Sequence, residues 1–383
     1  MKEHLIYENF INDFKTIVNI DSASENLEGV ARVALFLKKK FERIGLATEI
    51  TREGKDGVPC LKACTAKKAN GRYDFMFLGH MDTVFPTGEV AKRPFAIEGK
   101  HALGPGTNDM QGGLLVALYV IDKLKTDGNL DDISICVAFN GDEETGSDNS
   151  RAWIEKMAAN CDRVLVFEAC RPNYRNVLQR KGGGVIRITA NGIAAHSGIN
   201  PKEGANALVE LAGHMLAIDK LNDLGNGITA QCTVINGGEK HNIVPDRAEL
   251  VVDVRVETME EAVFVDNFFK KLPENNYVKG ASITVVGGVE RPPMEYTHKT
   301  LEMWKILHEE YSKQGITSSY ISTGGCSDGN WTAAMGIPTL DGVGPVGGNS
   351  HREDEYLDLT SILPTISTVT STCLRMVREA GHP

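Results

Sequence analysis

Short stretches that are apolar at nearly every position set the strongest limit on this chain. Ile133–Phe139 and Val164–Phe167 are too short for buried helices, and turn residues bound them. Strands of this kind are hidden on both faces, which requires a sheet covered by helices. From Leu27 to Ile44 the residues Val30, Val33, Ala34, Leu37 and Phe41 recur at helical spacing and the segment stops at Gly45, and a second helix is expected from about Met110 to Lys125. With strand-like runs at Ala47–Thr51, Leu61–Ala66 and Asp74–Gly79, the first half reads as α/β with a mostly parallel central sheet flanked by helices.

The pattern changes after Lys181. A strand (Val185–Ala190), a helix (Gly204–Leu221), strands at Ile228–Ile235 and Arg247–Val256, a helix (Met259–Leu272) and a strand (Ala281–Val286) follow. That order, βαββαβ, predicts a ferredoxin-like domain. A helix near Lys299–Gln314 and the run Pro338–Leu340 then resume the α/β character, so residues 1–181 and 293–383 are expected to form one domain interrupted by a second at 182–292. A length of 383 residues suits two domains.

The 41 Lys+Arg and 51 Asp+Glu give a net charge of −10, which argues against a nucleic-acid binder. The longest apolar stretch, Gly113–Ile121, is too short to cross a bilayer, and the N-terminal segment reads as an amphipathic helix and not a secretory signal. The eight cysteines include no CxxC pair, consistent with free thiols in a reducing cytoplasm.

Five polar clusters punctuate the α/β segments, and four of them follow strand-like runs, where α/β folds place ligand-binding residues. They contain His80-x-Asp82, Asp109 within a Gly-rich loop, Asp142-Glu143-Glu144, Glu168, and His351 in a second Gly-rich loop. Neither Gly-rich loop is a dinucleotide site: Asp109 stands where the third Gly is needed in one, and no apolar helix follows Gly342-x-Gly344-x-x-Gly347. Singly, each cluster suits a solvated loop or a satisfied structural group. Together, two His and several acids in one domain suit two adjacent divalent ions, Zn²⁺ first, with Co²⁺ or Mn²⁺ possible. Such a pair activates a shared water for amide hydrolysis.

The ordered set His80-x-Asp82, Gly104-x-Gly106-x-x-Asp109-x-x-Gly-Gly113, Asp142-Glu143-Glu144-x-Gly146, Glu168, Ala195-His196-Ser-Gly198, Asn242-x-x-Pro245, Asp253-x-Arg255 and His351 resembles the dinuclear zinc peptidase family. That family contains glutamate carboxypeptidase, acetylornithine deacetylase, succinyl-diaminopimelate desuccinylase and peptidase T. The resemblance implies two zinc ions per chain, one held by His80, Asp109 and Glu168, the other by Asp109, Glu144 and His351. Glu143 would be the general base, Asp82 the residue that orients His80, and residues 182–292 a lid and dimerisation domain. It also implies a homodimer in which His196 reaches the partner's active site.

Substrate contacts implied by the same resemblance are Asn242, Arg255, Arg291 and the Gly324-Gly325 loop. For Arg255 an ion pair is an equal alternative. Pro105 favours the glutamate carboxypeptidase-like branch, whereas Gln111 and Cys326 depart from the family pattern. The expectation is a cytoplasmic carboxypeptidase acting on a small peptide or N-acyl amino acid. An N-acyl-amino-acid deacylase or desuccinylase is the nearest alternative. A non-catalytic binding protein on the same fold would be marked by loss of Glu143 or a ligand, and all are present.

Overall fold

The apolar runs become neighbouring strands. The computed structural model describes residues 2–225 and 227–380. The chain begins with α1 (Lys2–Val18), α2 (Leu27–Ile44), β1 (Ala47–Glu53), β2 (Val58–Cys64), β3 (Phe75–His80), α3 (Gly112–Thr126), β4 (Ile135–Asn140), α4 (Arg151–Ala158) and β5 (Val164–Val166). There follow β6 (Gly182–Asn191), α5 (Ala207–Asp219), β7 (Thr229–Gly237), β8 (Arg247–Val256), α6 (Met259–Lys271) and β9 (Ser282–Gly287). The chain ends with α7 (His298–Lys313), β10 (Thr339–Leu340) and α8 (Ile362–Ala380).

Two compact units divide it. The first comprises residues up to Leu178, Tyr296–Ser322 and residues from Ser327 onward; the second comprises Gln179–Glu295 with Thr323–Cys326. The Gly324-Gly325 loop, expected in the first domain, therefore sits with the second unit. Hydrogen bonds hold it there: the Lys181 N–H donates to the Thr323 carbonyl at 3.0 Å, and the Arg180 guanidinium donates to the carbonyls of Gly325 and Cys326 at 3.2 Å.

In the first unit the sheet order is β1-β2-β4-β3-β5-β10. β3, β4, β5 and β10 run parallel, and β1 and β2 form an antiparallel edge. Every residue of β3 and β4 is buried, as their unbroken apolar sequences require. On α2 the Asn26 side chain accepts the Gly29 N–H, Gly45 ends the helix at φ 101°, and Val30, Val33, Leu37 and Phe41 enter the core beside Phe10, Phe14, Phe77 and Phe139. Parallel pairing aligns the strand ends: His80 lies opposite Asn140, and Leu78 opposite Val166. The loops bearing His80, Glu143 and Glu168 consequently leave the sheet at one level.

The second unit has strand order β7-β8-β6-β9, all antiparallel, with α5 and α6 contributing Leu211, Ile218, Val265 and Phe269 to a core with Ile186, Ile188, Leu250 and Val252. This is the ferredoxin-like arrangement. No helix among the described residues is long and apolar enough to cross a membrane.

Candidate metal centre

Asp109 is the meeting point of the first unit's polar clusters. Its Oδ1 lies 3.2 Å from His80 Nε2 and its Oδ2 lies 3.2 Å from His351 Nε2. Glu168 Oε1 is 3.4 Å from His80 Nε2, and Glu144 Oε2 is 3.4 Å from His351 Nε2. Donor atoms of His80, Asp109 and Glu144 all lie within 4.8 Å of one another. The five side chains expected to be ligands thus converge.

Asp109 is not an ordinary first-turn helical acid. Its φ of −120° and ψ of 93° are non-helical, and α3 starts only at Gly112, two residues later than expected. The turn through residues 107–111 aims its carboxylate between the two imidazoles. The Gly342–Gly347 run serves close packing, since a Cβ on Gly347 would stand 2.0 Å from Asn108 Oδ1.

His80 is fixed from its other nitrogen. Nδ1 lies 3.0 Å from the Asp82 carbonyl and 3.4 Å from the Asp82 carboxylate, so the backbone is the nearer acceptor. The fully buried Asp82 carboxylate instead accepts the N–H groups of Glu143 and Glu144 at 3.2 and 3.1 Å, and the Ser24 hydroxyl at 2.6 Å. Glu143 follows directly from this grip and is partly exposed.

Crowded acids and imidazoles shift one another. Hydrogen bonds donated to the Asp109 and Glu144 carboxylates push the His351 imidazole up to about 10. His80 is also raised, because Asp109, Asp82 and Glu168 outweigh the opposing effect of burial. Against burial, His351 and His80 hold Asp109 well below the usual carboxylate range. Burial pushes Glu144 up to about 7, aided by the charge of Asp109. Such a set favours cations. Among the described residues the buried Glu144 Oε1 has no hydrogen-bond partner. An acceptor left open in this way, beside two imidazoles and further carboxylates, fits divalent metal ions.

The residues expected to contact substrate lie in the second unit and fall into two groups. Gly183 of β6 pairs with Arg255 on β8 and with Arg291, which brings the two arginines to one end of the sheet. Arg255 makes a two-pronged ion pair with Asp253 at 3.0 and 2.9 Å and turns Nη1 toward Cys326 Sγ, 3.9 Å away. Gly324 and Gly325 are exposed, with open space around each. His196 and Asn242 belong elsewhere: His196 bridges Ile243, and the Ser197 N–H donates to the Asn242 carbonyl at 3.0 Å. They lie beyond the far end of β6, whose ten residues span about 30 Å. Within one chain these groups do not share a site.

Three contributors had no role in the sequence reading. Ser24 holds Asp82, Asn108 Nδ2 donates to Ser350 Oγ at 2.7 Å, and Glu355 Oε1 accepts the N–H groups of Asn108 and Asp109 at 2.7 and 3.1 Å. Burial pushes the Glu355 carboxyl up to about 8. Only burial separates Glu355 from its exposed neighbours Glu353 and Asp354, and no sequence signal does.

Residues 76–375 match peptidase family M20/M25/M40. Carboxypeptidase G2 of Pseudomonas sp. (strain RS-16) is 30% identical over 356 residues, which cover 92% of this chain and 85% of that protein. Succinyl-diaminopimelate desuccinylase of Pelagibacter ubique (strain HTCC1062) is 26% identical, covering 87% of this chain and 90% of that one. The fold superposes on a dinuclear metal-binding peptidase of the M20 family from Bacillus subtilis with a TM-score of 0.73, covering 98% and 99% of the two chains at 12% identity. Sequence similarity across nearly the whole chain accompanies the shared fold, and on this basis the chain belongs to the M20/M25/M40 peptidase family.

Proposed function

We propose that this chain is a dinuclear metal-dependent hydrolase that cleaves an amide bond beside a free carboxylate, releasing a C-terminal amino acid such as glutamate. The observation that carries this reading is Asp109, whose two oxygens each lie 3.2 Å from a different imidazole. His80, Asp109 and Glu168 would hold one ion, and Asp109, Glu144 and His351 the other. Zinc suits these donors, with cobalt or manganese as substitutes. Bound there, such ions polarise the scissile carbonyl and make water nucleophilic near neutral pH.

The remaining work falls to side chains. Glu143 takes a proton from the attacking water and delivers it to the leaving amine. Asp82 holds the backbone of Glu143 and Glu144 while the same residue's carbonyl fixes the His80 ring. Arg255 and Arg291 supply guanidinium groups for the substrate carboxylate, and Asn242 with the Gly324-Gly325 loop completes the binding surface. At His196, Nδ1 accepts the N–H groups of Gly198 and Ile199 at 3.1 and 3.2 Å. In the neutral ring the proton is then on Nε2, a donor suited to an oxyanion.

A homodimer explains the separation of His196 and Asn242 from the arginines, because a second copy can bring one group to the other. Exposed Val209 and Leu216 on α5, and Val234 and Ile235 on the edge strand β7, offer apolar surface for it. Eight cysteines outside any disulfide suit the cytoplasm. Similarity to the desuccinylase supports a second reading, in which the acyl group is succinyl. Paired substrates test both: N-acyl glutamates and succinyl amino acids, each beside its C-terminal carboxamide. Loss of turnover on converting carboxylate to carboxamide is expected, and equal rates on both would contradict the reading.

A further inference from the structure

We propose that Glu355 is a positioning residue for the His351 side of the metal centre, acting by tying the loop that carries His351 to the backbone of Asp109. The inference rests on the dinuclear reading above.

The two imidazoles are anchored very differently. His80 terminates a fully buried strand, is 1% exposed, and has its second nitrogen against Asp82. The His351 side chain is 54% exposed and stands in a loop, with φ of 67° at His351 and 59° at Asn349. Its ring touches Asp109 and Glu144, which are themselves expected ligands. Those contacts cannot fix the loop independently of a metal. Other contacts can: Gly347 and Gly348 pair with Leu357 and Tyr356 at the loop's base, Arg93 Nη1 donates to the Glu353 carbonyl at 2.6 Å, Asn108 Nδ2 donates to Ser350 Oγ, and the Asn108 and Asp109 N–H groups both donate to Glu355 Oε1, which ties the loop directly to the Asp109 backbone.

Glu355 is 0% exposed, and its own N–H closes the turn onto the Arg352 carbonyl at 3.1 Å. Burying a carboxyl is costly unless hydrogen bonds compensate it. Here two consecutive amides converge on one of its oxygens, and the second of them belongs to the residue that lies between both imidazoles. Exposed Glu353 and Asp354 do not substitute, and Asp354 is engaged by Arg352 at 2.9 Å. Removing the Glu355 acceptor frees the amides at the root of the Asp109 turn and loosens the His351 loop where it meets that turn. His80, held from β3, keeps its place. The ion held by His351, Glu144 and Asp109 should therefore weaken more than the ion held with His80 and Glu168.

The test strips metal from the full chain and titrates it with Co²⁺ alone, followed by calorimetry and visible absorption, for wild type, Glu355→Gln, Glu355→Ala and His351→Ala. Thermal unfolding of each stripped protein verifies a cooperative fold. Wild type should take two ions and His351→Ala should keep one tight site. Glu355→Ala should keep one tight site and bind the second about 10–100-fold more weakly, the range typical of residues that orient ligands. Glu355→Gln retains a carbonyl acceptor and should stay near wild type. Should Glu355→Ala fail to fold, Glu355→Asp, which withdraws the acceptor by one methylene, should show the same one-site weakening. Two wild-type sites in the Ala variant, equal weakening of both sites, or a Gln variant as impaired as the Ala variant would each overturn the proposal. A wild-type chain that binds fewer than two ions would overturn the dinuclear reading beneath it.

Discussion

Asp82 accepts the backbone N–H of Glu143 at 3.2 Å, so the residue that steadies His80 also holds the loop carrying the proposed base. Its second oxygen takes the Glu144 N–H and the Ser24 hydroxyl. One residue thereby links the proposed ligand His80, through its carbonyl, to the proposed ligand Glu144 and base Glu143, through its carboxylate. Asp82→Asn keeps the volume but gives up the charge and one acceptor oxygen. A fall of about 10–100-fold in kcat is expected, accompanied by weaker metal retention measured by atomic emission. Unaltered kcat and metal content would show that the grip is dispensable.

Metal removal should make stability depend on pH in a defined sense. In the metal-free fold His351 is raised from 6.5 to about 10 and Glu144 from 4.5 to about 7. Both groups then bind protons more tightly folded than unfolded. Their contribution is fully present below the unfolded values and is lost as pH rises through the folded ones. Thermal unfolding of the stripped protein should therefore shift to lower temperature between pH 4.5 and 10, and His351→Gln should flatten the upper part of that slope. A stripped protein whose Tm rises across this window would contradict the assignment.

Helix α3 begins hard against the end of β5. A Cβ on Gly113 would stand 1.9 Å from the Phe167 carbonyl, one residue before Glu168. Gly113→Ala is expected to destabilise the fold by about 1–3 kcal/mol, read from the urea midpoint, and to loosen metal binding through Glu168. An unchanged midpoint would mean that the helix start can shift freely.

His196 offers a test of cross-subunit action. His196→Ala and Glu143→Gln should each be nearly inactive alone, and mixing them under conditions that exchange subunits should restore part of the activity. Activity that persists in His196→Ala alone would remove the residue from the reaction.

Much of the site was legible because parallel strands end together. Once Phe75–His80, Ile135–Asn140 and Val164–Val166 lie in register, His80, Glu144 and Glu168 must emerge side by side. Asp109 stood out as a candidate but its backbone did not, since a helix start reads alike whether its first acid is helical or set in a turn before it. The C-terminal helix Ile362–Ala380 escaped notice because Thr365, Thr368, Thr370 and Thr372 are buried among its apolar residues and blur the helical stripe. Glu355 was hidden among three consecutive acids, and Thr323–Cys326 changed unit through backbone contacts that no residue pattern encodes. For Arg255 the ion-pair alternative was open in the sequence, and its partner is Asp253, two residues away on the same strand face.

The most direct measurement is amide hydrolysis by the purified chain, stripped and then reloaded with Zn²⁺ or Co²⁺, compared with its Glu143→Gln variant under identical loading. An N-acyl glutamate should be cleaved only by the reloaded wild type, while Glu143→Gln binds two ions per chain and loses about 10²–10⁴-fold in kcat. Equal turnover by the two loaded proteins, or hydrolysis that survives complete removal of metal, would contradict the account.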